Sequence, residues 1–140
     1  MKNYTYSFTT KKSPKEVFEL LQNVEEWWSG IYEETITGKS QKPGDEFSFS
    51  AGGGMHFSKQ KLAELIPNQK IVWQVTESNL SFLKKPKEWE NTNIVFDISE
   101  KGKDTQVTFT HKGLEPGIEC YDSCSNAWAQ YLYNLKNKLN

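Results

Sequence analysis

Alternation of apolar and polar residues predicts that much of the chain forms β-strands. In residues 3–10, Tyr4, Tyr6 and Phe8 alternate with Thr and Ser, which is the period of a half-buried strand. The same test predicts six further strands, at residues 31–38, 46–51, 55–66, 70–77, 92–99 and 105–112.

Short turns between these strands favour an antiparallel sheet. The segments 42–45 (KPGD), 67–69 (PNQ) and 101–104 (KGKD) are typical turn sequences. A triple glycine at 52–54 superficially suggests a phosphate cradle, but a strand follows it instead of a helix, which favours a hairpin turn. Between Phe57 and Leu62 the alternation slips, because Lys59 and Lys61 share the parity of Phe57, and we interpret this slip as a β-bulge that would restore the alternation.

Helical signals follow the first strand and return at the end of the chain. Ser13 suits an N-cap, Pro14 suits the first helical position, and Glu16 completes a capping box, so we predict a helix that ends near Asn23. A second short helix is predicted over residues 24–28. The C-terminal stripe has steps of three and four and consists of Cys120, Cys124, Ala127, Trp128, Tyr131, Leu132, Leu135 and Leu139.

These elements predict an α+β fold. The long C-terminal helix is the only element long enough to cover the apolar face of the sheet. We therefore expect a curved antiparallel sheet of six or seven strands wrapped on this helix, with two short helices after the first strand. A length of 140 residues favours a single domain over 1–140.

Composition and charge narrow the possible partners. All 17 cationic side chains are Lys, and the net charge is -1. Without Arg or a basic surplus, a nucleic-acid binder is disfavoured.

No apolar run reaches the length of a membrane span, and residues 1–8 lack a signal-peptide core. Cys120 and Cys124 lie one helical turn apart, which predicts two free thiols and a cytoplasmic location.

Several motifs carry a resemblance to a known family. They are 13–18 (SPKEVF), 27–28 (WW), 65–73 (LIPNQKIVW) and 107–114 (VTFTHKGL), followed by a helix with Trp128, Leu132 and Leu135. The chain resembles the START-like, or SRPBCC, helix-grip superfamily, and most of all the branch named for the activator of the heat-shock chaperone ATPase (Aha-type C-terminal domain).

This resemblance implies the helix-grip fold and three classes of function. Relatives bind sterols, lipids, polyketides or hormones in a cavity, assist a chaperone, or catalyse cyclisation or hydrolysis. We expect a small apolar or amphipathic molecule as the partner. A co-chaperone-like protein-interaction module is the first alternative, although the eukaryotic co-chaperone carries an additional N-terminal domain. An enzyme on the same fold is the second alternative.

Aromatic residues at inward positions are the candidate ligand site. They could line a cavity between the sheet and the helix, or they could simply fill the core. The wall would be Phe47, Phe49, Trp73, Phe96, Phe109 and His111, the roof Trp128, Tyr131 and Leu132, and the mouth Trp27, Trp28, Phe82 and Trp89.

Residues with catalytic or metal-binding chemistry are few. His111 shares the inward parity of Phe109 and could anchor a ligand or act as a base, but a satisfied core histidine is favoured. His56 is expected to be exposed. The spacing of His111, Cys120 and Cys124 matches no familiar zinc site. We therefore assign no catalytic residue, no metal and no cofactor, and whether residues 79–91 act as a lid stays open.

Overall fold

A computed structural model describes residues 3–140 of the chain. Met1 and Lys2 lie outside the described residues. The prediction that residues 1–8 lack a signal-peptide core and the prediction of a single domain over 1–140 therefore fall partly outside them. In chain order the elements are β1 (Tyr4–Thr10), α1 (Pro14–Gln22), α2 (Val24–Trp27), β2 (Thr35–Gly38), β3 (Glu46–Ala51), a 3₁₀ turn (Gly52–Gly54), β4 (His56–Ile66), β5 (Lys70–Leu80), β6 (Asn93–Lys101), β7 (Asp104–Lys112) and α3 (Tyr121–Leu139).

Seven strands form one antiparallel sheet in the order β1-β7-β6-β5-β4-β3-β2. From β3 to β7 each strand pairs with the one before it in sequence. The short turns predicted between β4 and β5 and between β6 and β7 favour this antiparallel pairing. β1 closes the far edge against β7, where Tyr4 pairs with His111 and Thr10 with Thr105. The predicted curved antiparallel sheet and helix-grip fold are confirmed.

Two register irregularities interrupt the pairing of β4 with β5. Gln60 faces Val75 while Lys59 faces Glu77, so Thr76 is an extra residue, and Ala63 is a second one further along. Bulges of this kind bend a strand and increase its twist, which suits a sheet that wraps around a helix. A bulge was predicted between Phe57 and Leu62, and the register shift between Lys59 and Gln60 confirms it, with the extra residue on β5.

The inward face of β4 carries polar residues. His56, Ser58, Gln60 and Leu62 share one face, and Ser58, Gln60 and Leu62 are buried. Phe57 is on the opposite face of the strand. The alternation that runs back from Leu62 gives this position.

The first helix begins as its capping signals predict. The Ser13 hydroxyl accepts a hydrogen bond from the Glu16 amide (3.2 Å), and the Glu16 carboxylate accepts one from the Ser13 amide (3.2 Å). α2 follows after one residue, and it is short enough that Trp27 and Trp28 both turn into the core. No helix in residues 3–140 combines the length and the apolar character that crossing a bilayer requires.

Most of the interface between α3 and the sheet is filled by side chains. The Trp128 ring of α3 lies 4.6 Å from the Phe109 ring of β7, measured between centroids. Leu132 and Leu135 of α3 are fully buried. The layers therefore interdigitate along most of the helix, as a dense core demands.

Gly38 is a position where the sheet requires glycine. Its φ is +120°, and a Cβ there would collide with the Glu46 carbonyl oxygen and lie 2.7 Å from the Phe47 Cα. We expect Gly38→Ala to lower the free energy of unfolding by about 2 kcal/mol or more, measured by urea denaturation. Gly117→Ala is the control, because Gly117 has open space around it and no positive φ, and it should change stability by less than about 0.5 kcal/mol. Equal effects of the two substitutions would contradict this account of the β2–β3 pairing.

Candidate functional site

A cavity of about 290 Å³ opens between the N-terminal half of α3 and the β3–β4 end of the sheet. Its walls are mainly aromatic rings, those of Trp28, Phe49, Trp89, Trp128 and Tyr131. We call this space the aromatic cavity. Its size is near the lower end of the range for small-molecule pockets.

Small residues leave this space open. Ser123, Cys124 and Ala127 line the cavity from α3, and Ala51 and Gly52 line it from the end of β3 and the 3₁₀ turn. Further along α3, Leu132 and Leu135 are fully buried and do not line the cavity. The cavity therefore exists where small side chains of the helix lie opposite small residues of the sheet edge.

Exposed apolar side chains form the rim of the cavity. Of the five large apolar side chains that are most exposed in residues 3–140, Tyr32, Met55 and Phe82 line the cavity, with exposed fractions of 43%, 52% and 42%. Isolated exposed apolar residues are ordinary, but a group around one opening marks a contact site. The opening therefore presents an apolar entrance.

Two polar atoms at the cavity wall have no hydrogen-bond partner among the described residues. They are Nε2 of His56 and Nε1 of Trp89, and both are sealed from solvent. The two rings are in edge-to-face contact, with centroids 4.7 Å apart. Burial lowers the pKa of His56 to about 4, so this side chain is neutral at pH 7.

His111 lies behind the cavity wall in a directional chain of hydrogen bonds. The Trp128 indole N–H, which can only donate, gives its hydrogen to His111 Nδ1 at 3.1 Å. The ring proton is therefore on Nε2, which donates to the Thr92 hydroxyl at 2.8 Å, and Thr92 donates to the Trp89 carbonyl at 2.6 Å. This chain satisfies His111 through side chains and fixes α3 and Trp89 in place. Burial, with a smaller contribution from the nearby His56, lowers the pKa of His111 to about 3.

Glu34 ties the loop after α2 to α3 at the cavity rim. Its carboxylate accepts hydrogen bonds from the amides of Gly30 (2.7 Å), Ile31 (3.2 Å) and Tyr32 (2.8 Å), and from the Tyr131 hydroxyl (2.5 Å). Burial by itself raises the pKa of Glu34, but these hydrogen bonds outweigh it and hold the pKa below its ordinary value. Burial and the bond to Glu34 raise the pKa of Tyr131. This contact explains why β2 begins at Thr35 and not at residue 31, since residues 30–34 wrap around a carboxylate.

Reciprocal carboxylate contacts hold the segment between β5 and β6 against the start of α3. Glu88 accepts hydrogen bonds from the amides of Glu119 (3.0 Å) and Cys120 (3.1 Å). Glu119 in turn accepts from the amides of Lys84 (3.0 Å) and Lys85 (2.9 Å), and these bonds lower its pKa. The segment that carries Phe82 and Trp89 is therefore anchored at two points.

The thirteen residues predicted for the site divide into two groups. Six of them line the aromatic cavity: Trp28, Phe49, Phe82, Trp89, Trp128 and Tyr131. Seven do not line it and pack inside the core: Trp27, Phe47, Trp73, Phe96, Phe109, His111 and Leu132.

Sequence reasoning missed several residues of the cavity. His56 was expected to be exposed, and its imidazole instead reaches the wall with Nε2 buried. His56 and Leu62 are six residues apart on β4 and therefore share one face of the strand, and this spacing could have predicted an inward His56. Ala51, Gly52 and Ala127 carried no signal, because a small side chain matters here only through the space it leaves.

The prediction of two free thiols is wrong. The structure joins Cys120 and Cys124 in a disulfide. The prediction assumed that both residues lie within a helix, whereas α3 begins at Tyr121 and Cys120 is its N-cap. The cysteines therefore no longer support a cytoplasmic location, and this location stays a prediction.

The two buried imidazoles predict that mild acid destabilises the protein. In the folded protein the pKa of His56 is about 4 and that of His111 is about 3, both below the ordinary 6.5. The stability that the two neutral rings contribute is therefore complete above pH 6.5 and is lost as the pH falls towards those values. We expect the free energy of unfolding to fall by about 3 kcal/mol between pH 7 and pH 5, measured by urea denaturation. His56→Gln should roughly halve this fall, and equal stability at the two pH values would contradict the neutral state of both rings.

Comparisons with solved structures place the fold among known proteins. The solution structure of the Aha1 dimer from Colwellia psychrerythraea is similar at a TM-score of 0.78 and 27% identity, covering 99% of this chain and 96% of that one. A protein from Chromobacterium violaceum is similar at a TM-score of 0.73 and 13% identity, with 99% and 98% covered. Major latex-like protein 151 from Panax ginseng gives 0.68 and 13%, with 99% and 97% covered. The last two show the fold alone.

Comparison with curated proteins finds no match. Comparison with protein families matches residues 11–140 to the family described as activator of Hsp90 ATPase homolog 1-like protein. This match spans most of the chain, and it agrees with the helix-grip topology and with the branch that the sequence motifs indicated. The chain belongs to the activator of Hsp90 ATPase homolog 1-like family.

Proposed function

We propose that the protein binds a small apolar or amphipathic molecule in the aromatic cavity. The observation that carries this proposal is an opening of about 290 Å³ whose walls are mainly aromatic rings. A cavity of this kind costs stability when it is empty, because its walls lose packing contacts. A bound apolar molecule would restore those contacts.

The rim of the cavity supports the same proposal. Tyr32, Met55 and Phe82 expose apolar surface around the opening, which would help an apolar molecule to leave water. The Glu34 and Glu88 hydrogen bonds hold the elements around the cavity in position, so little ordering would be needed on binding.

Filling the cavity should abolish binding. We expect Ala127→Phe to place a ring in the space beside Trp28 and Trp128 and to remove the fluorescence enhancement of 1-aminoanthracene, a neutral apolar probe. The wild-type protein at a probe concentration about 100 times the dissociation constant should gain about 2.7 kcal/mol of stability, and the variant should gain none.

Ala129→Phe is the matched control for this substitution. Ala129 is on α3, two residues from Ala127, and does not line the cavity. This variant should bind the probe as the wild type does. If Ala127→Phe and wild-type protein bind the probe equally well, or if neither variant nor wild type binds it, the proposed function is overturned.

A second candidate is a co-chaperone-like protein-interaction module. Family membership and the 27% identity to an Aha1 structure favour it. The exposed Met55 and Phe82 would then contact a protein partner. Stimulation of the ATPase rate of an Hsp90-type chaperone, lost in Phe82→Ser but kept in Ala127→Phe, would support this candidate over the first, and an unchanged rate would reject it.

A further inference from the structure

A carboxylate lies directly behind the rim of the aromatic cavity. Glu34 Oε2 accepts a hydrogen bond from the Tyr131 hydroxyl (2.5 Å) and one from the Tyr32 amide (2.8 Å). Tyr131 and Tyr32 both line the cavity, and their rings are in edge-to-face contact with centroids 6.3 Å apart. The negative charge of Glu34 is therefore held one hydrogen bond away from two residues of the cavity.

No lysine neutralises this charge within the described part of the chain. None of the ion pairs in residues 3–140 includes Glu34. In Glu16, Asp45 and Glu119, hydrogen bonds lower the pKa of the carboxyl group most, and a nearby Lys adds to the effect. Burial raises the pKa of Glu34 and hydrogen bonds lower it below its ordinary value, without a contribution from any Lys. Glu34 is therefore an ionised group whose hydrogen bonds are satisfied but whose charge is not balanced.

The segments that carry Tyr32 and Tyr131 add acidic residues and no basic ones. Residues 24–34 include four Glu and no Lys, and residues 121–135 include one Asp and no Lys. Lys84 and Lys85 follow the rim residue Phe82, but their amides donate to Glu119 and their charges help to lower its pKa. The lysines nearest to the opening in sequence are thus offset by a carboxylate of their own, and the potential beside Tyr131 is negative.

We propose that the aromatic cavity binds a cationic amphipathic molecule, with its apolar body between the rings and an ammonium group at the rim near Glu34. This inference rests on the proposed function and adds the charge of the ligand. None of the fourteen residues that line the cavity is Asp, Glu or Lys, so the ammonium group stays at the opening, where it keeps part of its water. The unbalanced carboxylate attracts an ammonium group there and repels a carboxylate group.

A matched set of naphthalenes tests this inference by displacement of 1-aminoanthracene at pH 7.5. 2-Ethylnaphthalene is neutral, 2-(aminomethyl)naphthalene has an ammonium group in place of the terminal methyl, and 2-naphthylacetate carries a carboxylate. The ratio of the first two dissociation constants is compared between wild type and Glu34→Gln, so that the difference in hydrophobicity between the ligands cancels. We expect the relative affinity for the ammonium ligand to fall about fivefold in the variant, and 2-naphthylacetate to bind wild type about tenfold more weakly than the ammonium ligand.

Two further measurements keep the test independent of one variant. Glu33→Gln is the matched control, because it removes the same charge from the next residue, which is exposed, whereas Glu34 is half-buried against Tyr131. Solvent screens the exposed charge, so this variant should change the ratio by less than about twofold. In the wild-type protein, nuclear Overhauser contacts should place the methylene protons of bound 2-(aminomethyl)naphthalene beside the Tyr131 ring. This readout remains available if Glu34→Gln does not fold.

The outcomes separate this inference from the proposed function. If 2-ethylnaphthalene binds but the ratio is the same in wild type and Glu34→Gln, the cavity binds apolar molecules and the inference about their charge is overturned. An equal fall of the ratio in both variants, methylene contacts away from Tyr131, or binding of 2-naphthylacetate as tight as that of the ammonium ligand would overturn it too. If no naphthalene displaces the probe and the probe itself does not bind, the proposed function fails as well.

Discussion

The size of the side chains that α3 directs towards the sheet determines where the interior is filled and where a cavity remains. Trp128 and the leucines after it reach the opposite rings and fill the interior. Cys124, one turn before Trp128, and Ala127, directly before it, are too small to do so, and they line the aromatic cavity. The sheet and the helix are the same two layers throughout, so side-chain volume and not topology creates the site.

A second constraint is the need to satisfy polar groups inside an aromatic interior. The chain from Trp128 through His111 and Thr92 to the Trp89 carbonyl leaves no polar atom of these side chains unpaired along its length. It fixes the tautomer of His111 and immobilises one wall of the cavity. Five other buried side-chain atoms have no partner among the described residues: Nε2 of His56, Oγ of Ser58, Nε2 and Oε1 of Gln60, and Nε1 of Trp89.

The fold could be predicted from the sequence because its signals are periodic. Alternation found each strand, and the capping box of Ser13 and Glu16 placed the first helix. β2 began later than predicted because the carboxylate of Glu34 organises the residues before it, and a single acidic residue in a sequence does not reveal four donors.

The site was harder to predict than the fold. Inward aromatic residues look alike in sequence whether they face a gap or another ring, so Phe49 and Phe96 received the same prediction although only Phe49 lines the cavity. Which ring faces empty space depends on small residues elsewhere in the sequence, such as Ala127. Only the tertiary structure shows which of these small residues lies opposite which ring. The disulfide escaped prediction for a related reason, since it depends on where α3 begins.

Xenon binding in a crystal tests the central claim most directly, because xenon enters apolar cavities without needing a specific ligand. A crystal structure under xenon pressure should show the atom between Trp28, Phe49 and Ala127, and none between Trp128 and Phe96. Electron density without xenon beside Ala127, with the surrounding rings closed onto one another, would contradict the account.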